Sequence, residues 1–199
     1  MIQTFLRAKH WHLFILLFGI PMLFQFGFMG MLVSEIINNP ESDPAFVLDF
    51  VNYFIPIMIF VMAVFLGWFW SIGVGLQSRI PDDIPMKVGR FKAFIVFPLI
   101  YIVLLLVYIG FMFNSLISNS EPPNPAIFML IFPLHLFAMF CMFHSLYFVA
   151  KTIKTAELQR KTTFGDFAGE FFLLWFYPVG IWFVQPRVNK LAKDSDLPS

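Results

Sequence analysis

Four histidines are the residues of this sequence best suited to chemistry inside an apolar environment. His135 and His144 lie nine positions apart in one apolar run, and His10 and His12 stand at the start of another. At about 100° per residue, nine positions place two side chains on nearly opposite sides of a helix, so His135 and His144 cannot share one ligand. A haem b held between His12 and His144 is conceivable, because both lie toward the basic ends of their runs. Histidines at helix ends or in hydrogen bonds between helices are the commoner arrangement.

Two carboxylates, Asp166 and Glu170, are four positions apart and could contact one cation. Two ligands do not define a metal site, so we predict none. The sequence lacks H-E-x-x-H, a phosphate-binding Gly-rich loop and G-x-S-x-G, and its single cysteine, Cys141, has no second cysteine with which to pair. We therefore expect the protein not to be an enzyme.

The elements that hold these residues are strongly apolar. Hydrophobic residues make up 59% of the 199 positions, charged residues only 13%, and the mean hydropathy is +0.80. Apolar runs of about 20 residues recur, which is the length of a helix that crosses a hydrocarbon core of roughly 30 Å. The chain is therefore predicted to be an integral membrane protein in contact with the lipid bilayer. A net charge of +1 argues against nucleic acid as a partner.

Four spanning helices are predicted, at 11–34, 45–76, 91–118 and 126–151. Basic residues flank them on one side only: Arg7 and Lys9; Arg79, Lys87, Arg90 and Lys92; Lys151, Lys154, Arg160 and Lys161. The other two connections, SEIINNPESDP and SNSEPPNP, contain no Lys or Arg. Because Lys and Arg accumulate in cytoplasmic loops, both termini are expected to be cytoplasmic.

Four prolines suggest an internal repeat. Pro21 and Pro98 are 77 positions apart, as are Pro56 and Pro133, and PIMIFVM and PLHLFAM share P-x-x-x-F-x-M. A parallel repeat of two helices would explain this, and so would the abundance of Pro, Phe and Met in membrane helices. In either case we expect a kink at each proline.

The segment after the fourth span is apolar but interrupted. Lys154, Glu157 and Lys161 have the spacing of ion pairs on a helix that extends to about 161. Thr163 with Asp166 has the pattern of a capping box. The apolar stretch 171–184 has only 14 residues and contains Pro178 and Gly180, which should break the helix near Tyr177.

We predict an amphipathic or re-entrant element at 162–191, facing the cytoplasm and containing a second short apolar piece, with Gly180 loosening the backbone, followed by a polar tail at 192–199. A fifth span is the alternative, but it would translocate the basic residues that follow. The candidate docking or gating residues of this element and of the preceding extension are Lys154, Glu157, Asp166, Glu170, Trp175, Pro178, Gly180, Trp182, Gln185 and Pro186.

Small residues at four-position spacing mark one face of the second span: Gly67, Ser71 and Gly75. Such a face permits close packing of a helix from the same chain or from another subunit.

The segments KTAELQ at 154–159 and WFYPVGIWFVQP at 175–186, with Asp166 and Glu170 between them, resemble the C-terminal signature of a family of small bacterial four-helix integral membrane proteins. The resemblance covers about a fifth of the chain. It implies a four-span topology in the bacterial inner membrane and supplies no catalytic residue.

These observations favour an all-α, polytopic membrane four-helix bundle that acts as a non-catalytic subunit. It would form a homo-oligomer or bind other membrane protein subunits through its C-terminal element. A channel or small-solute transporter with a hydrophobic pathway is the alternative, and a b-type haem protein is a second one.

Overall fold

The computed structural model describes residues 1–38, 46–117, 124 and 126–193. Within these ranges the protein is helical and has no strand, and four of its helical stretches are long and apolar enough to cross a membrane. The all-α membrane bundle predicted from the sequence is thus confirmed. The helices are α1 (Ile2–Leu6), α2 (His10–Phe14), a π-helical turn (Ile15–Gly19), α3 (Ile20–Asn38), α4 (Phe46–Gly75), a 3-10 turn (Gln77–Arg79), α5 (Val88–Ile117), α6 (Ala126–Leu158), α7 (Phe164–Trp175) and α8 (Tyr177–Lys193).

The spans agree with the predicted ones to within a few residues at their ends, except that α6 continues well beyond 151. Residues 45 and 118, predicted as span ends, lie outside the described residues. The predicted extension of α6 is confirmed, but the helix ends at Leu158. Gln159 has a φ of 51°, the left-handed conformation that commonly terminates helices. Lys161 therefore does not lie on the helix, and its predicted pairing with Glu157 is wrong.

The prolines are accommodated in different ways. Pro56, Pro98 and Pro133 lie inside continuous helices. Pro21 follows the π-helical turn, and because it has no N–H it cannot donate to the carbonyl of Leu17 four positions earlier. The kinks and the internal repeat stay predictions.

The short helix α1 was not predicted, and it covers the small-residue face of α4. A Cβ atom on Gly75 would lie 2.7 Å from side-chain atoms of Ile2 and Leu6, and one on Gly67 would lie 3.2 Å from the Phe5 ring. Ser71 is fully buried between these two glycines. This face is therefore used for packing within the chain.

The buried core lies at the end of the bundle where α1, α7 and α8 meet the spans. Its largest fully buried side chains include Trp68 and Phe69 of α4, Phe91 of α5 and Phe167 of α7. In contrast, α3 has no buried residue. A chain surrounded by lipid can expose such an apolar helix, because lipid tails solvate it as well as a protein core does.

Candidate functional site

Helices α7 and α8 form a hairpin, which is the predicted interrupted element. Asp166 starts α7 by accepting hydrogen bonds from the Thr163 backbone N–H at 2.8 Å and from the Thr163 hydroxyl at 2.9 Å, so the predicted capping box is confirmed. The chain then turns at Phe176 (φ −88°, ψ 56°), as expected for a break near Tyr177. Pro178 lies in the first turn of α8. Backbone N–H groups in the first turn have no acceptor within the helix, so a proline there costs no helical hydrogen bond.

Gly180 permits a close approach between the two helices of the hairpin. A Cβ atom at this position would lie 1.7 Å from the carbonyl oxygen of Leu173 on α7 and 2.5 Å from its carbonyl carbon. The expectation that Gly180 loosens the backbone is therefore wrong: it lies inside α8, and its missing side chain is what allows the packing.

The second arm of the hairpin is longer than predicted. Helix α8 runs to Lys193, and Ala192 is only 3% exposed, so the polar tail does not begin at 192. The helix continues because Val184, Val188 and Ala192 form one buried face at helical spacing. The rest of the predicted tail, 194–199, lies outside the described residues.

Helix α8 runs antiparallel to the first helical segments of the chain. The Tyr177 hydroxyl, at the start of α8, donates to the Leu17 carbonyl at 3.3 Å, the carbonyl that Pro21 leaves without its helical donor. Further along, Asn189 Nδ2 donates to the Leu6 carbonyl at 2.7 Å. Leu17 is seven residues beyond His10, so the tip of the hairpin lies roughly 10 Å deeper than the start of α2. The hairpin therefore begins and ends at the same end of the bundle, which is the course expected of a re-entrant element.

Gln185 fixes α8 to two other parts of the bundle. Its side chain is fully buried, accepts a hydrogen bond from Trp68 Nε1 at 2.7 Å, and donates to the carbonyls of Phe5 at 2.8 Å and Ala8 at 3.0 Å. Gln185 therefore connects α8 to α4, to α1 and to the turn that follows α1. Gln185 is one of the predicted docking residues, but its partners are too distant in the sequence to be predicted from it.

Four charged side chains form an internal cluster between α6, α7 and α8. Arg187 contacts Glu157 at 2.5 Å and Glu170 at 2.6 Å, while Lys154 contacts Glu170 at 3.2 Å and Glu157 at 3.5 Å. Two cations thus balance two carboxylates. Burial acts to raise the pKa of Glu170, but hydrogen bonds from Arg187, from the backbone and from Lys154 together outweigh burial and leave the pKa below its usual range. Hydrogen bonds to Glu157 and Glu170 raise the pKa of Arg187.

The polar docking candidates thus contact the protein itself. Lys154 and Arg187 each pair with Glu157 and Glu170, Gln185 is fully buried, and Asp166 caps α7.

The outward side of the hairpin is apolar. We call it the aromatic face: Phe172, Trp175, Phe176, Val179, Trp182 and Phe183, each between 45% and 64% exposed. Pro186 is also exposed on α8, whereas Pro178 is half-buried.

The histidines lie in separate surroundings. His135 is within hydrogen-bond distance of the Tyr101 hydroxyl, at 3.1 Å from Nδ1. His144 packs against the Phe94 ring on α5, and His12 packs against Trp11. Among the described residues, no hydrogen bond or ring contact joins His12 to His144, and no three His, Cys, Asp or Glu side chains form a metal-ligand group.

The Tyr101 and His135 pair was not found from the sequence, because it depends on how α5 and α6 pack. Both side chains line a cavity of about 250 Å³, which is also lined by Leu174 and Trp175 near the hairpin tip. The remaining wall is apolar and includes Met62 and Phe65.

Comparison of the chain with protein-family models, with curated proteins and with solved structures found no match.

Proposed function

We propose that this protein is a non-catalytic integral membrane subunit that binds a second membrane-embedded chain through the aromatic face of its re-entrant hairpin. The second chain is another copy of the protein or a different membrane protein. The distribution of Lys and Arg supports a bacterial inner-membrane orientation with both termini in the cytoplasm.

The observation that carries this proposal is the opposite character of the two sides of the hairpin. Its inward side holds Gln185, Asn189 and the charged cluster, all engaged in contacts that fix the hairpin against the spans. Its outward side presents large rigid rings, which supply contact area at small cost in side-chain entropy. A rigidly held apolar surface loses little freedom on binding a partner.

Site-specific photo-crosslinking in native membranes tests the proposal. A benzoylphenylalanine would replace Phe183 or Val179 in the aromatic face, and Leu104 or Leu130 as exposed controls on the spans α5 and α6. Protein adducts of defined mass are expected from the hairpin positions only. If those positions give lipid adducts alone, or the same adducts as the controls, the proposed docking role is wrong.

A channel or small-solute transporter is the second candidate, because the cavity beside Tyr101 and His135 provides polar groups at mid-depth in an otherwise apolar bundle. Flux of solutes into liposomes containing the purified protein as a homo-oligomer would favour it. A Soret band in the purified protein would instead favour the haem b alternative with His12 and His144.

A further inference from the structure

A second cavity lies at the end of the bundle where α6 and α8 end. It has a volume of about 490 Å³ and is bounded by the 3-10 turn after α4, the end of α6 and the last turns of α8. Small-molecule sites in proteins commonly have volumes of roughly 300–1,000 Å³. Three cationic side chains line it, Arg79, Arg187 and Lys190, against one carboxylate, Glu157.

The carboxylate in this cavity is already balanced. Glu157 and Glu170 together neutralise Arg187 and Lys154 in the internal cluster described above. No salt bridge within the described residues reaches Arg79 or Lys190, so the cavity keeps an excess of two positive charges. Asp82 and Asp83 follow on an exposed loop but do not line it.

Arg79 is the lining residue whose hydrogen-bond donors lack acceptors. Its Nε and Nη2 atoms are buried and have no hydrogen-bond partner among the described residues. A buried donor without an acceptor costs free energy, and a charged one costs more, unless an acceptor binds to it. A planar guanidinium presents paired N–H groups that match the oxygens of a phosphate.

Gln159 holds Arg79 in position. Its side chain donates to the Arg79 carbonyl at 2.8 Å and to the Ala156 carbonyl at 2.6 Å, which joins the 3-10 turn to the end of α6. Its backbone has the left-handed φ of 51°, which is uncommon for a residue other than glycine. Such conformations often occur at functional sites.

We propose that this cavity binds a phosphate group, with Arg79 as the bidentate donor and Lys190 as the second cation. A phospholipid headgroup is the expected source, because Arg79 is the last residue of the candidate span Phe50–Arg79 and therefore lies at headgroup depth. Basic pockets between membrane helices on the cytoplasmic side commonly bind anionic headgroups. A soluble phosphate would use the same two side chains.

Native mass spectrometry of the full chain in neutral detergent tests the proposal. Phosphatidylglycerol, phosphatidylcholine and inorganic phosphate would be titrated separately. The variants are Arg79→Gln and Lys190→Gln, with Lys161→Gln as a matched control, because Lys161 is an exposed cation that lies outside the cavity. We expect phosphatidylglycerol to bind best, and each cavity variant to bind it roughly tenfold or more weakly. The control should bind like the wild type.

Binding of inorganic phosphate with the same dependence on Arg79 and Lys190 would also support the site and identify a soluble source. Equal binding by all variants, an equal loss in Lys161→Gln, or no binding of either source would overturn the proposal. Far-UV circular dichroism and the elution volume verify folding. Should Arg79→Gln not fold, Lys190→Gln decides, because Lys190 is exposed on α8.

Discussion

Replacement of Gln185 by Leu should destabilise the attachment of the hairpin to the bundle. The substitution keeps the side-chain size but removes the acceptor of Trp68 Nε1 and the donor to the Phe5 and Ala8 carbonyls. Leaving the Trp68 N–H buried and unpaired should cost about 1–3 kcal/mol. The free-energy cost at the two carbonyls is smaller, because each still accepts a second hydrogen bond. The remaining donor lies 3.2 Å from the Phe5 oxygen and 3.1 Å from the Ala8 oxygen. We expect a total loss of about 2–3 kcal/mol.

The contribution of the hydrogen bond can be isolated with a double-mutant cycle. Trp68→Phe removes the donor, and in that background Gln185→Leu no longer leaves an N–H without an acceptor. The two substitutions should therefore couple by about 1–2 kcal/mol. Gln77→Leu is the matched control, because within the described part of the chain the Gln77 side chain makes one hydrogen bond, to the Gly73 carbonyl four residues earlier.

Labelling of Cys141 provides the assay. It is the only cysteine and is fully buried, so its reaction with a thiol reagent reports opening of the bundle during a titration with denaturing detergent. The expected order of stability is wild type, then Gln77→Leu, then Gln185→Leu. If Gln185→Leu is as stable as the control, or if the cycle shows no coupling, the assigned role of Gln185 is wrong.

Three further predictions concern the hairpin and α1. Gly180→Ala should disrupt the hairpin, because the added Cβ would overlap a backbone carbonyl. Gly169→Ala is the control and should be neutral or stabilise α7, because no atom lies within 4 Å of its added Cβ. The midpoints of thermal unfolding compare the two variants, and equal midpoints would refute the close packing at Gly180. The pKa of Asp166 is lowered to about 2, and the largest cause is the backbone hydrogen bond that it accepts at the helix cap. Ionised Asp166 should therefore stabilise α7 fully above about pH 4, and this stabilisation should be lost as the pH falls toward 2. Hydrogen exchange of the first turn of α7 measures this, and Asp166→Asn should lack the dependence. Gly75→Val should displace α1 and speed proteolysis of the N-terminus, with Gly89→Val, in open space, as the control that should not.

Local patterns made much of the fold predictable. Apolar runs of spanning length located the four spans, the spacing of Thr163 and Asp166 located the start of α7, and Pro178 marked the break before α8. Each of these signals depends on neighbouring residues alone.

The interior of the candidate site could not be predicted in the same way, because it depends on partners distant in the sequence. Gln185 binds atoms about 117 and 180 positions away, and Glu157 pairs with Arg187 and not with the nearby Lys161. Gly180 is the clearest example. A glycine in an apolar helix indicates an unusual backbone requirement, but only the position of the Leu173 carbonyl shows that the requirement is close packing. Likewise, nothing local indicated that the N-terminal residues would cover the small face of α4.

The re-entrant course that we propose for the hairpin is tested most directly by cysteine accessibility. In a Cys141→Ala background, single cysteines would replace Lys87, Phe176 or Lys193 and be exposed to an impermeant maleimide in sealed vesicles of each orientation. We predict that Lys87→Cys and Lys193→Cys react from the same side and that Phe176→Cys, at the hairpin tip, reacts from neither. Reaction of Lys193→Cys from the side opposite to Lys87→Cys would mean that the last element crosses the membrane and is not re-entrant.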